Sequence, residues 1–93
     1  MSGHKAKTVK VCNRRGLHAR ASAKFVNMVH ELGEAYLIEV EKDGNKVTGT
    51  SIMGLMMLGA AMGDKITIHV TGEEPGPALK QLAKLVEDRF GED

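Results

Sequence analysis

Ninety-three residues, 42% of them apolar, can build one compact core and little more. Aromatic side chains are 3% of the chain, tryptophan is absent and the formal net charge is +1. Those values supply neither a stacking platform nor bulk attraction for nucleic acid or an anionic membrane. One cysteine, Cys12, rules out an intramolecular disulfide, and the N-terminus carries no signal-peptide pattern. The longest mainly apolar run, residues 52–62, is far too short to cross a bilayer. A single cytoplasmic domain over residues 1–93 is expected.

Taken in chain order, residues 2–7 are a polar lead, expected to be loose at its start. Thr8-Val9-Lys10-Val11-Cys12 alternates and predicts a half-buried strand, with Cys12 an exposed, unreactive thiol on the polar face or at the strand end. From Ala19 to Leu32, small or apolar residues at Ser22, Phe25, Val26, Val29 and Leu32 draw the stripe of a one-sided helix. Gly33 stops it. Tyr36, Ile38 and Val40 mark a second strand, Asp43-Gly44 a tight turn, and Lys46-Val47-Thr48 a short third strand. Ser51 is placed to cap a short helix running to about Leu58. Residues 59–63 are a loop, and Ile66, Ile68 and Val70 give a fourth strand. Residues 71–77 link it to a last helix, with Pro77 suited to the first turn. That helix buries Leu79, Leu82, Ala83, Val86 and Phe90, and Gly91-Glu92-Asp93 should fray from its end. The order is βαββαβα. Strands with one apolar face each suit an antiparallel sheet covered by helices on one side.

Chemistry concentrates at Gly16-Leu17-His18-Ala19-Arg20. The glycine frees the chain to turn, so His18 falls at a strand-to-helix junction. There the first helical N–H groups lack partners and the helix dipole is positive, which makes an anion site. A histidine at such a place can stay neutral and nucleophilic at pH 7 and handle a phosphoryl group. The N–H groups of Ala19 and Arg20, with the Arg20 guanidinium, would hold the phosphate. His4, His30 and His69 are far apart in the chain and are expected as surface residues; no metal site and no cofactor are foreseen. Glu73-Glu74 reads as a solvated turn.

Gly16-Leu17-His18-Ala19-Arg20 together with Ser51-Ile52-Met53-Gly54-Leu55 resembles HPr, the histidine-containing phosphocarrier family of bacterial phosphotransferase systems. The resemblance spans nearly the whole chain. It implies an α+β open-faced β-sandwich, a four-stranded antiparallel sheet with three helices on one face. It implies a monomeric phosphocarrier, not a turnover enzyme, in which His18 takes a phosphoryl group from phospho-enzyme I and passes it to an enzyme IIA domain. Arg20 is then the phosphate partner, and Ser51 the residue on which HPr kinase/phosphorylase acts in bacteria that have it. Lys24, Ile52, Met53, Met56 and Met57 would supply docking surface, with Leu55 and Leu58 in the core. Arg15 would join the basic rim. One departure is Ala21, where the family usually has proline. Asn13-Arg14-Arg15, the methionines and the Phe90-Gly91-Glu92-Asp93 tail look more like NPr, the nitrogen-related branch. That branch suggests the competing expectation, a regulatory binding module controlled by phosphorylation at His18 or Ser51. An RNA-binding domain of similar element order fails on charge and aromatic content.

Overall fold

A computed structural model describes residues 3–92. Four strands, β1 (Gly3–Lys10), β2 (Leu37–Lys42), β3 (Asn45–Thr48) and β4 (Lys65–Gly72), form one antiparallel sheet in the order β1-β4-β2-β3. Three helices, α1 (Ala19–Leu32), α2 (Ile52–Met57) and α3 (Pro75–Glu87), complete the order βαββαβα. Strand register places Val9 opposite Ile66, Ile38 opposite Val70 and Val40 opposite Ile68. All six are buried, together with Phe25, Val29, Leu55, Leu82 and Val86 from the helices. One sheet face is therefore packed and the other is open to solvent, as strict period-two alternation dictates.

The helix α1 occupies the span that its stripe and its two flanking glycines predict. The Asp43-Gly44 turn has φ of 52° and 84°, the paired left-handed geometry that joins β2 to β3 without splaying them. Ser51 caps α2 by accepting a hydrogen bond from the Gly54 amide at 2.9 Å. Gly16 has φ of 64°, and a Cβ there would collide with the carbonyl oxygen of Ala60, to which the next residue, Leu17, donates at 2.9 Å. Only glycine fits both demands.

Three expectations need correction. First, β1 begins at Gly3 and ends at Lys10, so most of the polar lead is strand. Lys5 and Lys7 occupy the inward parity, where α3 covers them in part and Lys7 pairs with Glu87 at 3.8 Å. Apolar alternation is therefore missing from a segment that is still paired. Val11 and Cys12 lie beyond the strand, and the Cys12 thiol is half-buried, reaching the carbonyls of Val86 and Glu87 at 3.5 and 3.4 Å. Second, α3 starts at Pro75, two residues before Pro77, behind a left-handed Glu74. Third, the chain does not fray after α3. Arg89, Phe90 and Gly91 take φ of 59°, 53° and 73°, a left-handed turn that doubles the chain back. Left-handed backbone costs about 1–2 kcal/mol at each of the two non-glycine residues. Burial of Phe90, 1% exposed, offsets much of it, since a fully buried phenylalanine contributes about 1.5–3 kcal/mol. The predicted start at Ser2 and end at Asp93 lie outside the described residues.

Candidate functional site

His18 is the N-cap of α1, with extended backbone (φ −77°, ψ −177°) and its carbonyl accepting the first helical bond from Ser22 at 2.9 Å. The loop that delivers it is tied down on both sides. Val11 exchanges backbone bonds with Asp64 and Gly63 at 2.8 and 2.7 Å, and Leu17 is buried and bonded to Ala60. His18 thus sits on rigid backbone with 21% of its side chain exposed.

The imidazole makes one hydrogen bond among the described residues: Nε2 lies 2.7 Å from Oε2 of Glu92. The left-handed turn brings that carboxylate across from the far end of the chain. Lys24 secures the turn, its Nζ donating to the Phe90 carbonyl at 2.7 Å. Asn13, fully buried, donates from Nδ2 both to the Gly16 carbonyl at 2.8 Å and to Oε1 of Glu92 at 3.1 Å. Both neighbours are acceptors, so this amide orientation is chemically determined, and it leaves Asn13 Oδ1 buried without a partner. An unpaired buried acceptor costs about 1–3 kcal/mol, a penalty accepted here to hold the carboxylate on the imidazole. Burial pushes the Glu92 carboxyl up. The hydrogen bonds from Asn13 and His18, and then the charges of His18 and Lys24, outweigh it and hold the group below its ordinary value. Glu92 is therefore an anion at neutral pH, and an anion can only accept from Nε2–H. That fixes the neutral imidazole with its lone pair on Nδ1.

His18 makes no side-chain capping bond to the helix it begins, so Nδ1 is not spent on an α1 amide. The first-turn N–H groups of Ala19, Arg20 and Ala21 precede the first possible intrahelical bond and point toward the same space. Ala21, fully buried where the family usually carries proline, adds the third of these donors. Arg20 is exposed and takes part in none of the ion pairs among the described residues, free to approach an anion at the helix start.

Of the other sequence-derived positions, Met53 and Met57 are 69% and 80% exposed, and Ile52 and Met56 are exposed less fully. All four side chains thus stand outside the core, on a helix that packs against α1 and leads into the Ala60 carbonyl that anchors Leu17. Leu55 is buried, whereas Leu58 is half-buried against the core. Arg15 is exposed. Lys24 is not a free rim cation, since the Phe90 carbonyl holds it. Sequence reading missed Asn13 and Glu92. Both act over separations that leave no periodicity, 79 residues for their mutual bond and 74 for Glu92 with His18. Among the described residues no group of three or more His, Cys, Asp or Glu side chains is arranged to hold a metal ion, and no helix is long and apolar enough to cross a membrane.

Residues 5–88 match the PTS-HPr family model, described as the PTS HPr component phosphorylation site. The phosphocarrier protein HPr of Neisseria meningitidis is 39% identical over 85 residues, 91% of this chain and 93% of that protein. The phosphocarrier protein NPr of Shewanella violacea is 36% identical over 85 residues, 90% of each chain. A crystal structure of HPr from Thermoanaerobacter tengcongensis superposes with a TM-score of 0.87 at 39% identity, covering 96% of this chain and 98% of that one. HPr of Bacillus anthracis gives 0.82 at 38% identity over 90% of this chain and 98% of its own. With a family model that matches most of the chain and a fold shared with these solved structures, the chain belongs to the HPr family of phosphotransferase-system phosphocarriers.

Proposed function

We propose that the chain is a stoichiometric relay in which His18 Nδ1 accepts a phosphoryl group from phospho-enzyme I and yields it to an enzyme IIA domain. The observation that carries this reading is the division of labour on one imidazole. Nε2 is held by Glu92, while Nδ1 has no capping bond and lies at the start of α1. In the transfer, the Nδ1 lone pair forms the N–P bond as the donor's bond to phosphorus breaks, and the electron pair leaves with the donor. The proton on Nε2 stays where it is. Positive charge that develops on the ring faces an ionised carboxylate, and negative charge on the phosphoryl oxygens faces the Ala19 and Arg20 amides and the Arg20 guanidinium.

A relay must release its cargo, because each additional ~1.4 kcal/mol of stabilisation lowers the onward equilibrium tenfold. Backbone donors and one exposed arginine, without a lysine cage, meet that requirement. The partly exposed ring also suits a reaction in which the phosphoryl group passes directly between two protein surfaces. The exposed side chains of Ile52, Met53, Met56 and Met57 offer the docking face, and unbranched methionines adapt to unlike partners. Lys24 contributes indirectly, by holding the turn. Ser51 caps α2 beside that face; a phosphate there would keep a favourable place at a helix start while setting a dianion against approaching partners. The protein works as a cytoplasmic monomer with no cofactor of its own.

The test is transfer from phosphoenolpyruvate through enzyme I. The wild-type chain should acquire one acid-labile phosphate, seen on Nδ1 by phosphorus and nitrogen NMR, and pass it to an enzyme IIA. His18→Ala should acquire none while keeping its circular dichroism spectrum. Labelling of His18→Ala at the wild-type level would overturn the reading, and phosphate on Nε2 would overturn the assignment of the nitrogen.

A further inference from the structure

The solvent face of the sheet, opposite the helices, assembles a second group of histidines that are remote in sequence. His4 on β1, His69 on β4 and Glu41 on β2 occupy three neighbouring strands. His69 pairs with Ala6 on one side and Glu39 on the other, so His4 and Glu41 lie two residues along in opposite directions. All three side chains share the open face and meet along one diagonal, a reach that long side chains manage on a pleated surface. His69 Nε2 lies 2.8 Å from Oε1 of Glu41, and His69 Nδ1 lies 3.2 Å from His4 Nε2. The two ring planes are within 21° of parallel, with centroids 5.3 Å apart, so the rings meet nearly edge to edge.

Glu41 settles the chemistry. As an acceptor it takes the Nε2–H of His69 and leaves the Nδ1 lone pair directed at His4, the carboxylate–imidazole arrangement that orients metal-ligating histidines. Only 15% of the His69 side chain is exposed, so its orientation is held by packing as well. His4 is exposed and can place its own proton on Nδ1, which turns the Nε2 lone pair toward the same gap. In the metal-free chain His4 Nε2–H donates across that gap; a cation can replace the proton, the exposed His4 ring turning so that both lone pairs converge on an ion beside the N–N line. Two metal–nitrogen bonds of about 2.0–2.1 Å, meeting at about 90–110°, place the nitrogens about 2.8–3.4 Å apart. The spacing here falls within that interval.

We propose that His4 Nε2 and His69 Nδ1 form a two-histidine site for a divalent transition ion, Zn²⁺ or Cu²⁺, on the open face of the sheet. Water completes the coordination, and Glu41 positions His69 without ligating. Imidazole ligands select this class over Mg²⁺ and Ca²⁺, and Cu²⁺ should bind more tightly than Zn²⁺. Glu39, directly across from His69, adds negative charge beside the site. With two protein ligands the ion is exchangeable, and the site requires nothing of His18.

The test is a titration of the untagged chain with CuCl₂, ZnCl₂ and, as a control, MgCl₂, read by amide NMR and by copper EPR. Zn²⁺ should shift the β1 and β4 resonances around His4 and His69. Copper should show coupling to two nitrogens, and Mg²⁺ should do nothing. His4→Ala or His69→Ala should weaken binding at least tenfold, and Glu41→Gln about tenfold, within the range seen when a ligand's orienting partner is lost. His18→Ala should bind as the wild type does. Equal affinity in wild type and His4→Ala, or loss of binding in His18→Ala, would overturn the proposal. The metal-free melting curve of each variant separates loss of a ligand from loss of fold.

Discussion

Replacing Glu92 by glutamine tests whether the carboxylate orients and charges the His18 imidazole for attack. The variant keeps the size and an oxygen that can accept from Nε2–H; it removes the negative charge and the second acceptor, which takes the Asn13 Nδ2–H. In the wild type the contact is 2.7 Å between side chains 21% and 17% exposed, between a surface pair and a buried one. Hydrogen bonds to charged groups contribute about 1.5–3 kcal/mol when buried, and exposed ion pairs about 0–1. A difference of about 1 kcal/mol on substitution is the expected middle value. The imidazole gains positive charge as the N–P bond forms, so this difference appears in the transition state. At about 1.4 kcal/mol per tenfold, transfer should slow roughly three- to tenfold. Rapid-quench single turnover from phospho-enzyme I, at saturating donor, isolates the chemical step from docking. The loss should fall on the maximal rate and leave the concentration dependence unchanged. A Glu92→Gln chain that accepts phosphate at the wild-type rate or faster would refute the argument. The carboxylate would then be an occupant of the phosphate's place and not a partner of the ring.

The same carboxylate makes stability depend on pH. Its folded value lies below the ordinary one, so its contribution is complete above the unfolded value of ~4.3 and disappears as pH falls through the folded value. Urea midpoints of wild type and Glu92→Gln should therefore differ at pH 6 and draw together as the pH falls below ~4.3. Gly16→Ala meets both positive φ and the Ala60 carbonyl, and should lose about 2–3 kcal/mol, a fall in Tm of roughly 10–20 °C. Gly33→Ala meets open space, but φ of 95° with ψ of 171° lies where essentially only glycine goes, and it should lose about 1–3 kcal/mol in the same calorimetric scan. Ser51→Ala loses the cap to Gly54, about 1 kcal/mol, and should lower Tm while leaving phosphoryl acceptance within twofold of wild type.

How much was legible in the sequence depends on the range of each interaction. The bounds of α1, the Asp43-Gly44 turn and the Ser51 cap follow from residues within four positions of one another, and the structure repeats them. The first half of β1 does not alternate, because Lys5 and Lys7 take inward positions at the sheet edge, so its pairing with β4 had no local signal. His18 and Arg20 stood out through the glycine, the helix start and the spacing to Ser51. The partners of His18 could not. Asn13 and Glu92 carry no periodicity, and a phenylalanine, a glycine and two acidic residues at a chain end read as fraying until Phe90 is seen to be buried. His4 and His69 were separated by the same limitation, 65 residues apart in sequence and adjacent across β1 and β4.

The C-terminal turn explains why a loose-looking tail can serve a rigid site. Two non-glycine residues in left-handed backbone are outweighed there by one buried phenylalanine, one lysine-to-carbonyl bond and a carboxylate held by Asn13 and His18. Rigid backbone positions the nucleophile, through Gly16, Leu17 and the start of α1. The strap at the far end of the chain sets an ionised carboxylate on the ring.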